Sequence, residues 1–366
     1  MSQKYESCAI LPPFVLAQVA ESGSPSQREA ALNTIAISAS VRARRAVVGS
    51  LMRTMGLSAG ELTTASSAAK EKVTVYDAHH GGDATLPGVL KRQTGGPVAG
   101  DTAVNEAFDG ADETYRFYHD IFSRNSVDNS GLELISSVHY RANLDNAFWN
   151  GSQMLYGDGS GQILKVGSLT KSLDVIGHEL THGVTQYTAG LEYHEQPGAL
   201  NESISDVFGS LVKQRKLNQT ADKADWLIGT GILGPALNGV ALRSMKDPGT
   251  AFSGDPQPAT MAKYVVLPAD ADPRHDNGGV HINSGIPNRA FYLTAVAIGG
   301  NAWGDAGKIW YRALTTKITA TSSFAQAARA TVASARELFG NRSSQVTAVR
   351  DAWQQVGVLK PRRAHP

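Results

Sequence analysis

Two short stretches near the start of the chain carry apolar residues at helical spacing. The first begins at Pro12 and the second near Ser26, and each repeats an apolar residue every three or four positions. These apolar positions are Phe14, Val15, Val19, Leu32, Ile35, Ala36 and Ala39. A basic run then precedes residues 58–72, which are rich in Ser, Thr, Ala and Gly and are typical of an exposed linker. The pattern predicts a small helical leader over residues 1–55, with its boundary between 45 and 70.

After Lys72 the pattern changes to short runs of the β type. The runs VTVYD, LISSV and MLYGDGSGQILKVG contain β-branched or aromatic residues and are bounded by Gly and Asp. The YGDGSG segment lacks the closing Glu of an EF-hand calcium loop, so we interpret it as a hairpin turn. Residues 56–172 are therefore predicted to form a β-rich subdomain.

Helical patterns dominate from Leu173 to the end of the chain. Ser323 is a suitable N-cap for an apolar-periodic segment that ends at Gly340, and a last helix follows. The apolar positions of these two helices are Phe324, Ala328, Val332, Ala335, Phe339, Val346, Val349, Trp353 and Val356. Residues 173–366 are predicted to form a mainly α-helical subdomain. The expected fold class is α+β, with a site in the cleft between the two subdomains.

The overall composition is that of an ordinary globular protein. Of the 366 residues, 42% are hydrophobic and 18% are charged, and the formal net charge is +1. This balance gives no electrostatic reason to expect nucleic acid or a membrane as a partner, so we expect a small-molecule, peptide or protein partner. We also expect a monomer. The single Cys cannot form an intramolecular disulfide. The first 25 residues lack the basic and apolar regions of a classical signal peptide, which predicts synthesis in the cytoplasm and, for any export, a non-classical route.

The segment DVIGHELTHGVTQ carries the strongest chemical pattern in the chain. Its His178 and His182 are four residues apart, so both imidazoles lie on one face of a helix and reach one metal ion, with Glu179 beside them. This is the HExxH pattern of a zinc site with its own general base. The alternative is a surface helix with two incidental histidines.

Two carboxylates further along the chain strengthen the zinc interpretation. Glu202 and Asp206 lie one helical turn apart in NESISD, where the first can supply a third ligand and the second can orient an imidazole. Three protein ligands leave a position for a water molecule, whose proton Glu179 can accept during attack on a carbonyl group. These residues predict hydrolysis of a peptide bond.

The segment DNGGVHINSGIPN adds His281, with Asp276 five residues before it. Across a Gly-Gly turn, Asp276 can orient the imidazole, which can then stabilise the oxyanion of the reaction. An isolated His more often caps a turn or fills a core position. Beside a complete zinc set we favour the catalytic role.

These residues and their surroundings resemble the thermolysin family of gluzincin metalloendopeptidases. The resemblance covers roughly Val73 to Val356. It rests on blocks in order, which are VYDA with TLPG, SSVHY, NAFWNGSQMLYGDG, DVIGHELTHGVTQYTAGLEY, GALNESISDVFGSLV, LRSMKDP and DNGGVHINSGIPN. It implies that one Zn²⁺ is bound in a cleft between a β-rich and a helical subdomain, and that the enzyme prefers apolar residues after the scissile bond.

The resemblance also implies a role for each matching residue. Zinc would be bound by His178, His182 and Glu202, with Asp206 behind them; Glu179 would be the base, His281 and Tyr193 would stabilise the oxyanion, and Asp276 would orient His281. The substrate would lie as an added strand on Asn146 and the backbone of Ala147. Arg243, Val175 and Leu242 would line a pocket for the apolar side chain that follows the scissile bond.

The chain departs from the family at its double calcium site. The positions that match that site are Asp174, Lys213, Asp225, Leu227 and Thr230, and three of these five cannot supply a carboxylate. An ammonium group from Lys213 between Asp174 and Asp225 can replace the divalent charge, so we expect no calcium requirement. The short β-region and the leader sequence PPFVL resemble the protealysin-like subgroup, which implies that a brief propeptide acts as an intramolecular inhibitor.

Two other functions compete with that of an endopeptidase. A gluzincin exopeptidase carries an upstream Gly-x-Met-x-Asn motif, which this sequence lacks. A non-catalytic zinc-binding module has no need of Glu179, Tyr193 and His281 together, since none of them has to touch the metal.

The lone Cys8 lies close to Pro12 and Pro13 in SCAILPPFVL. The two prolines favour an extended approach to the helix, and a thiolate is a good zinc ligand. Cys8 can therefore fill the open zinc position and keep the enzyme inactive, or it can be a small packed residue with Pro12 and Pro13 as the anchor. In a Cys8→Ser variant a switch predicts premature activity, whereas an anchor predicts little change.

Overall fold

A computed structural model of the chain describes residues 8–54 and 72–360, apart from the side chains of residues 8, 45, 46 and 48–54. The strands are β1 (Cys8–Ala9), β2 (Val73–Asp77), β3 (Val89–Gln93), β4 (Leu134–Val138), β5 (Ala147–Trp149), β6 (Met154–Tyr156), β7 (Leu227–Ile228) and β8 (Arg243–Ser244). The helices are α1 (Pro13–Ser22), α2 (Pro25–Thr54), α3 (Thr102–Phe122), α4 (Ser168–Lys171), α5 (Leu173–Gln186), α6 (Glu195–Lys216), α7 (Asp276–Asn283), α8 (Gly285–Ile298), α9 (Asp305–Thr316), α10 (Phe324–Phe339) and α11 (Ser344–Gln355). This is an α+β fold with a β-rich first half and a helical second half.

A six-stranded sheet forms the first half, in the order β1-β5-β6-β4-β2-β3. Strand β4 runs parallel to β2 and β6, whereas the other neighbours are antiparallel. The edge strand β1 comes from the leader, where Cys8 lies opposite Trp149 and Ala9 lies opposite Phe148. The leader thus covers the edge of the sheet that β5 would otherwise expose.

Helix α3 packs on this sheet and on α5, although it lies in the half predicted to be β-rich. Its buried residues include Val104, Ala107, Ala111 and Phe117, at helical spacing. Asp101 caps its first turn by accepting hydrogen bonds from two backbone amides. The helix separates the strands β3 and β4, which are adjacent β-elements in the sequence but not in the sheet.

The two helices at the centre of the second half approach each other closely through glycines. A β-carbon added to Gly209 would lie 2.4 Å from the backbone oxygen of Asp174, and one added to Gly177 would lie 3.0 Å from the α-carbon of Gly209. Helices α5 and α6 therefore pack with almost no side chain between them at this level, which brings the residues on their facing sides together.

The last two helices confirm the predicted caps. Ser323 forms a capping box with Gln326 at the start of α10, and Gly340 ends that helix. Ser343 caps α11, on which Val346, Val349 and Trp353 are buried. Among the described residues, no helix has the length and apolar character needed to span a membrane.

The hairpin turn predicted at YGDGSG is wrong. The chain reverses instead over residues 150–153, between β5 and β6. The carboxylate of Asp145 accepts hydrogen bonds from the amides of Ser160 and Leu164, at 2.8 and 3.0 Å. These bonds fold the YGDGSG segment into a loop, and Leu164 then forms a β-bridge with Leu233 rather than with β6.

The buried face of the second leader helix is not the one that its apolar positions indicated, although Ile35 packs against the core. Leu32 is 59% exposed, and Ala36 and Ala39 are exposed as well. The buried positions are Ala30, Ala31, Thr34, Ser38 and Val41. Because these residues are small or carry a hydroxyl group, α2 closely approaches the segment that precedes β5. There the Thr34 hydroxyl accepts a hydrogen bond from the amide of Asp145 at 3.2 Å.

Candidate active site

Helix α5 places His178, Glu179 and His182 in the interior, where all three side chains are buried. The Nε2 atoms of His178 and His182 lie 3.0 Å apart. This separation follows from the four-residue spacing, which puts both imidazoles on one side of the helix. The two nitrogens therefore point toward one common position.

Helix α6 supplies the side chains that fix these imidazoles. Asp206 lies 2.8 Å from Nδ1 of His178. Asn201 and Ser205 lie 2.9 and 3.0 Å from Nδ1 of His182. Because each Nδ1 atom is occupied in this way, the Nε2 atoms are left to face the common position. The sequence reasoning missed Asn201 and Ser205, although both lie within a turn of Glu202 on the same predicted helix.

The donor set at the common position fits a zinc ion. The carboxylate oxygens of Glu202 lie 3.5 Å from the Nε2 atoms of both His178 and His182. One oxygen of Glu202 and one of Glu179 are buried without a hydrogen-bond partner. One ligand atom each from His178, Glu179 and His182 also lies within 4.8 Å of the others. Two imidazoles and a carboxylate are a typical zinc ligand set. We assign the carboxylate to Glu202, since the second oxygen of Glu179 is held by the amide of Trp149 at 2.9 Å.

The two carboxyl groups differ in their electrostatic surroundings. Burial raises the pKa of Glu179 to about 8, which outweighs the opposing effect of His178. Burial also acts to raise the pKa of Glu202, but the neighbouring His281, His182 and His178 bring it well below its ordinary value. Glu202 is thus held as an anion, whereas Glu179 is suited to exchange a proton near neutral pH.

His281 lies across the site on α7 and is fixed by Asp276. One Asp276 oxygen lies 2.6 Å from Nδ1 of His281, and the other accepts from the amides of His281 and Ile282, at 2.7 and 3.0 Å. Residues 276–279 all have positive φ, so the chain makes a left-handed turn that the two glycines favour. This turn returns the Asp276 carboxylate to the beginning of the regular helix, as the spacing of the two residues predicted.

Tyr193 lies beside His281. Its hydroxyl is 3.3 Å from Nε2 of His281 and donates a short hydrogen bond to Glu202. The side-chain amide of Asn277 donates to the backbone oxygen of Tyr193, which ties the two segments together. Burial acts to lower the pKa of His281, but the charges of Glu202 and Asp276 raise it overall. The imidazole of His281 and the phenol of Tyr193 therefore lie together at the site.

Arg243 forms a buried salt bridge with Asp206. Asn288, which the sequence reasoning missed, donates to the same carboxylate at 2.8 Å. Val175 and Leu242 are fully buried in the apolar cluster that borders the site. All three predicted pocket residues, Val175, Leu242 and Arg243, are thus buried.

The leader occupies the groove that these residues form. The amide of Ile10 donates to the oxygen of Ala147 at 3.3 Å, and the amide of Leu11 donates to the side chain of Asn146 at 3.0 Å. The Asn146 amide group returns a bond to the oxygen of Leu11 at 3.3 Å. The groups predicted to hold a substrate therefore hold Ile10 and Leu11 of the chain itself.

The prolines of the leader start its first helix. Pro12 is the N-cap with extended backbone angles, and Pro13 is the first helical residue of α1. The backbone of Cys8 is paired with Trp149. The Cys8 side chain, and with it the switch prediction, lies outside the described part of the chain.

The calcium-site positions hold an ion pair. The ammonium group of Lys213 lies 3.0 Å from a carboxylate oxygen of Asp174, 3.0 Å from one of Asp225 and 2.7 Å from the backbone oxygen of Leu227. Burial acts to lower the pKa of Lys213, but Asp174 and Asp225 raise it overall. The positive charge at this position therefore comes from the chain itself.

The fold and the site define a zinc metallopeptidase whose groove is filled by its own leader. Family models described as the catalytic domain and the alpha-helical domain of thermolysin metallopeptidase match residues 52–186 and 189–358. The chain is 43% identical over 357 residues to an extracellular metalloprotease of Pectobacterium carotovorum subsp. carotovorum, with 96% of each chain covered. It is 41% identical to protease PrtS of Photorhabdus sp. (strain Az29), with 95% of this chain and 91% of that protein covered.

A solved structure shows the same arrangement of domains. The precursor of protealysin, a metalloproteinase from Serratia proteamaculans, matches with a TM-score of 0.82 and 45% identity, covering 96% of this chain and 100% of that one. The chain therefore belongs to the thermolysin family and is a zinc metalloendopeptidase of the protealysin-like type.

Proposed function

We propose that this chain is the inhibited precursor of an endopeptidase, and that the enzyme freed of its leader cleaves peptide bonds before an apolar residue. The observation that carries the proposal is the pairing of leader strand β1 with edge strand β5, together with the bonds from Asn146 to Leu11. An extended peptide added to a sheet edge is a common way to bind a substrate. A leader that takes those bonds excludes any other peptide.

Each side chain has a distinct task in the proposed reaction. His178, His182 and Glu202 would hold zinc, which acts, when bound, as a Lewis acid that lowers the pKa of water and polarises a carbonyl. Glu179 accepts the proton of the attacking water and passes it to the leaving amine. His281 and Tyr193 donate hydrogen bonds to the oxygen that gains negative charge.

The proposed preference for an apolar residue rests on Ile10. Its side chain is fully buried in the same apolar cluster as Val175 and Leu242. Its backbone oxygen accepts a hydrogen bond from Arg243 at 3.0 Å. A substrate residue in this place would exchange water for an apolar pocket, while Arg243 would hold its carbonyl.

The geometry also separates an endopeptidase from an exopeptidase. The groove binds the leader on both sides of Ile10, since Cys8 pairs with Trp149 and Leu11 bonds to Asn146. A site that holds main chain on both sides accommodates an internal peptide segment rather than a chain end.

A Glu179→Ala variant tests the catalytic part of the proposal. We expect it to bind one zinc ion, as measured by metal analysis. With the leader removed from both proteins, its casein cleavage should be at least 100-fold lower than that of the wild type, within the usual range for loss of a general base. A matched Glu337→Ala variant, which changes an exposed carboxylate, keeps activity. Unchanged casein cleavage in Glu179→Ala would overturn the proposed mechanism.

An Ile10→Asp variant tests inhibition by the leader. A buried carboxylate at this position weakens the leader in its groove, so we expect casein cleavage to rise at least tenfold over the wild-type precursor. Leu32→Asp is the matched control, because Leu32 is an exposed residue of the same leader. Equal activity of wild type and Ile10→Asp would contradict the inhibited precursor.

We also propose that the protein needs no calcium, because Lys213 supplies the positive charge between Asp174 and Asp225. From the net charge of +1 we propose that the protein binds neither nucleic acid nor membrane. We also propose that it is a monomer. For location, we propose synthesis in the cytoplasm and export by a non-classical route. The name of the Pectobacterium relative, an extracellular metalloprotease, supports only the export. Size-exclusion chromatography and quantification of the protein in culture medium against cell lysate test the last two proposals.

A further inference from the structure

One carbonyl group of the leader meets the catalytic side chains. The backbone oxygen of Ala9 lies 3.1 Å from Nε2 of His281. That same nitrogen lies 3.5 Å from Glu202 and 3.3 Å from the Tyr193 hydroxyl. The Ala9 oxygen therefore lies where the proposed mechanism needs the oxygen of a reacting peptide carbonyl.

The main-chain groups after Ala9 fix the register of the leader. The amide of Ile10 bonds to Ala147, the oxygen of Ile10 bonds to Arg243, and both main-chain groups of Leu11 bond to Asn146. Successive residues of an extended strand face opposite sides, so a slip of one residue would break every one of these bonds. The groove thus places one particular peptide bond, Ala9–Ile10, at the catalytic groups.

We infer that the leader is bound as a substrate, and that the protein hydrolyses its own Ala9–Ile10 bond. This inference rests on the proposed function. Water adds across the bond: the C–N bond breaks, the water oxygen becomes part of the Ala9 carboxylate, and one water proton passes through Glu179 to the Ile10 nitrogen. The other proton leaves with ionisation of the new carboxylic acid, and nothing is oxidised or reduced.

The structure also explains why this cleavage does not by itself release the leader. Pro12 and Pro13 begin α1, and α1 packs against α2 and against residues 273–275 of the helical half. A new amino terminus at Ile10 keeps the bonds from Arg243 and Asn146. The leader therefore remains as a bound product after residues 1–9 have separated, and inhibition persists until the rest of the leader leaves.

Incubation of the zinc-loaded full chain in water enriched with oxygen-18 tests the cleavage. Amino-terminal sequencing is expected to find a species that begins at Ile10. Mass spectrometry is expected to find one oxygen-18 atom in the fragment that ends at Ala9. Glu179→Gln should produce this species at least tenfold more slowly. A precursor that is inhibited while its Ala9–Ile10 bond stays intact, or is cut only at other bonds, would overturn this inference and leave the inhibited precursor standing.

Amide hydrogen exchange of the zinc-free full chain tests the register without any activity. Pro12 and Pro13 have no amide hydrogen, so Ile10 and Leu11 are the last exchangeable amides before α1. Both are expected to exchange slowly. Asn146→Ala should accelerate exchange at Leu11 at least tenfold and leave Ile10 protected. The control is Asn33→Ala, which removes hydrogen bonds from the leader to the backbone of residues 142 and 143. In this control both amides should still exchange slowly. Rapid exchange at Ile10 and Leu11 in the wild type would overturn the register.

Discussion

The side chains of Asp206 and Arg243 are joined by two hydrogen bonds of 2.8 Å in the interior of the protein. Asp206 also lies 2.8 Å from Nδ1 of His178, and Arg243 also binds the backbone oxygen of Ile10. One carboxylate therefore connects His178, a proposed zinc ligand, with Arg243, which binds the leader. The charge of Arg243 acts with the His178 hydrogen bond to lower the pKa of Asp206 to about 2, against the effect of burial.

Asp206→Asn is expected to lower zinc affinity about 10–100-fold, the usual effect of changing a residue that supports a metal ligand. The amide keeps the size of the side chain but lacks the charge that fixes His178 and Arg243. Competition for zinc with a chromophoric chelator measures the change. Asp120→Asn, at a surface carboxylate, is the control, and equal zinc affinity in all three proteins would contradict this assignment.

Gly209→Ala is expected to destabilise the zinc-free protein by about 1–3 kcal/mol, as overpacking of a tight contact does. Alanine is the better helix former by about 1 kcal/mol, but its β-carbon would lie 2.4 Å from the backbone oxygen of Asp174. Helices α5 and α6 must then separate, and zinc affinity falls with stability. Chemical denaturation measures the first effect.

The control for that prediction is Gly100→Ala, since a β-carbon at Gly100 meets no atom within 4 Å. A Gly209→Ala protein that is as stable as this control would show that the two helices tolerate a wider spacing than the structure indicates.

Local spacing made the zinc-binding helix and the His281 turn predictable. A separation of four residues places two imidazoles on one helical face, and a Gly-Gly turn returns Asp276 to His281. These contacts lie within a few residues of one another. The helix that carries Glu202 was also predictable, because Glu202 and Asp206 are one helical turn apart.

Contacts between distant segments were not predictable in the same way. Asn288 reaches Asp206 from a helix 82 positions further along the chain, and no local pattern marks it. The YGDGSG segment forms a loop because the carboxylate of Asp145 accepts hydrogen bonds from amides 15 and 19 positions further along the chain. The buried face of α2 could not be read from hydrophobic periodicity, because most of its buried residues are small or polar.

His139 is expected to make the stability of the β-rich half depend on pH. Its ring nitrogens lie 2.8 Å from Asp158 and 2.9 Å from Asp101, the residue that caps α3. The hydrogen bond to Asp158 raises the pKa of His139 to about 9, and the opposing effect of burial is smaller. Because the pKa in the unfolded chain is about 6.5, this stabilisation is complete below about pH 6.5 and is lost as the pH rises through about 9.

His139→Gln should therefore lower the free energy of unfolding by about 2 kcal/mol at pH 6, after allowance for partial exposure of the ring, and by much less at pH 10. Chemical denaturation of the zinc-free protein across this range measures the difference. His119→Gln, at an exposed histidine, is the control. A gap between wild type and His139→Gln that stays constant from pH 6 to pH 10 would rule out the titration of this ring as its cause.

We expect Lys213 to make the stability of the protein independent of calcium. Because its ammonium group already forms ion pairs with Asp174 and Asp225, the melting temperature of the wild type should be the same in millimolar calcium and in a calcium-selective chelator. Lys213→Glu brings a third carboxylate to the two aspartates and the Leu227 oxygen, a set of oxygen ligands that suits calcium. We expect this variant to be less stable than wild type in chelator by about 3 kcal/mol, as for removal of one partner from a buried ion pair, and to regain several degrees when calcium is added. Lys216→Glu, on the same helix but exposed, should show no such rescue. A wild-type melting temperature that rises by several degrees with calcium would show that the lysine has not replaced the ion.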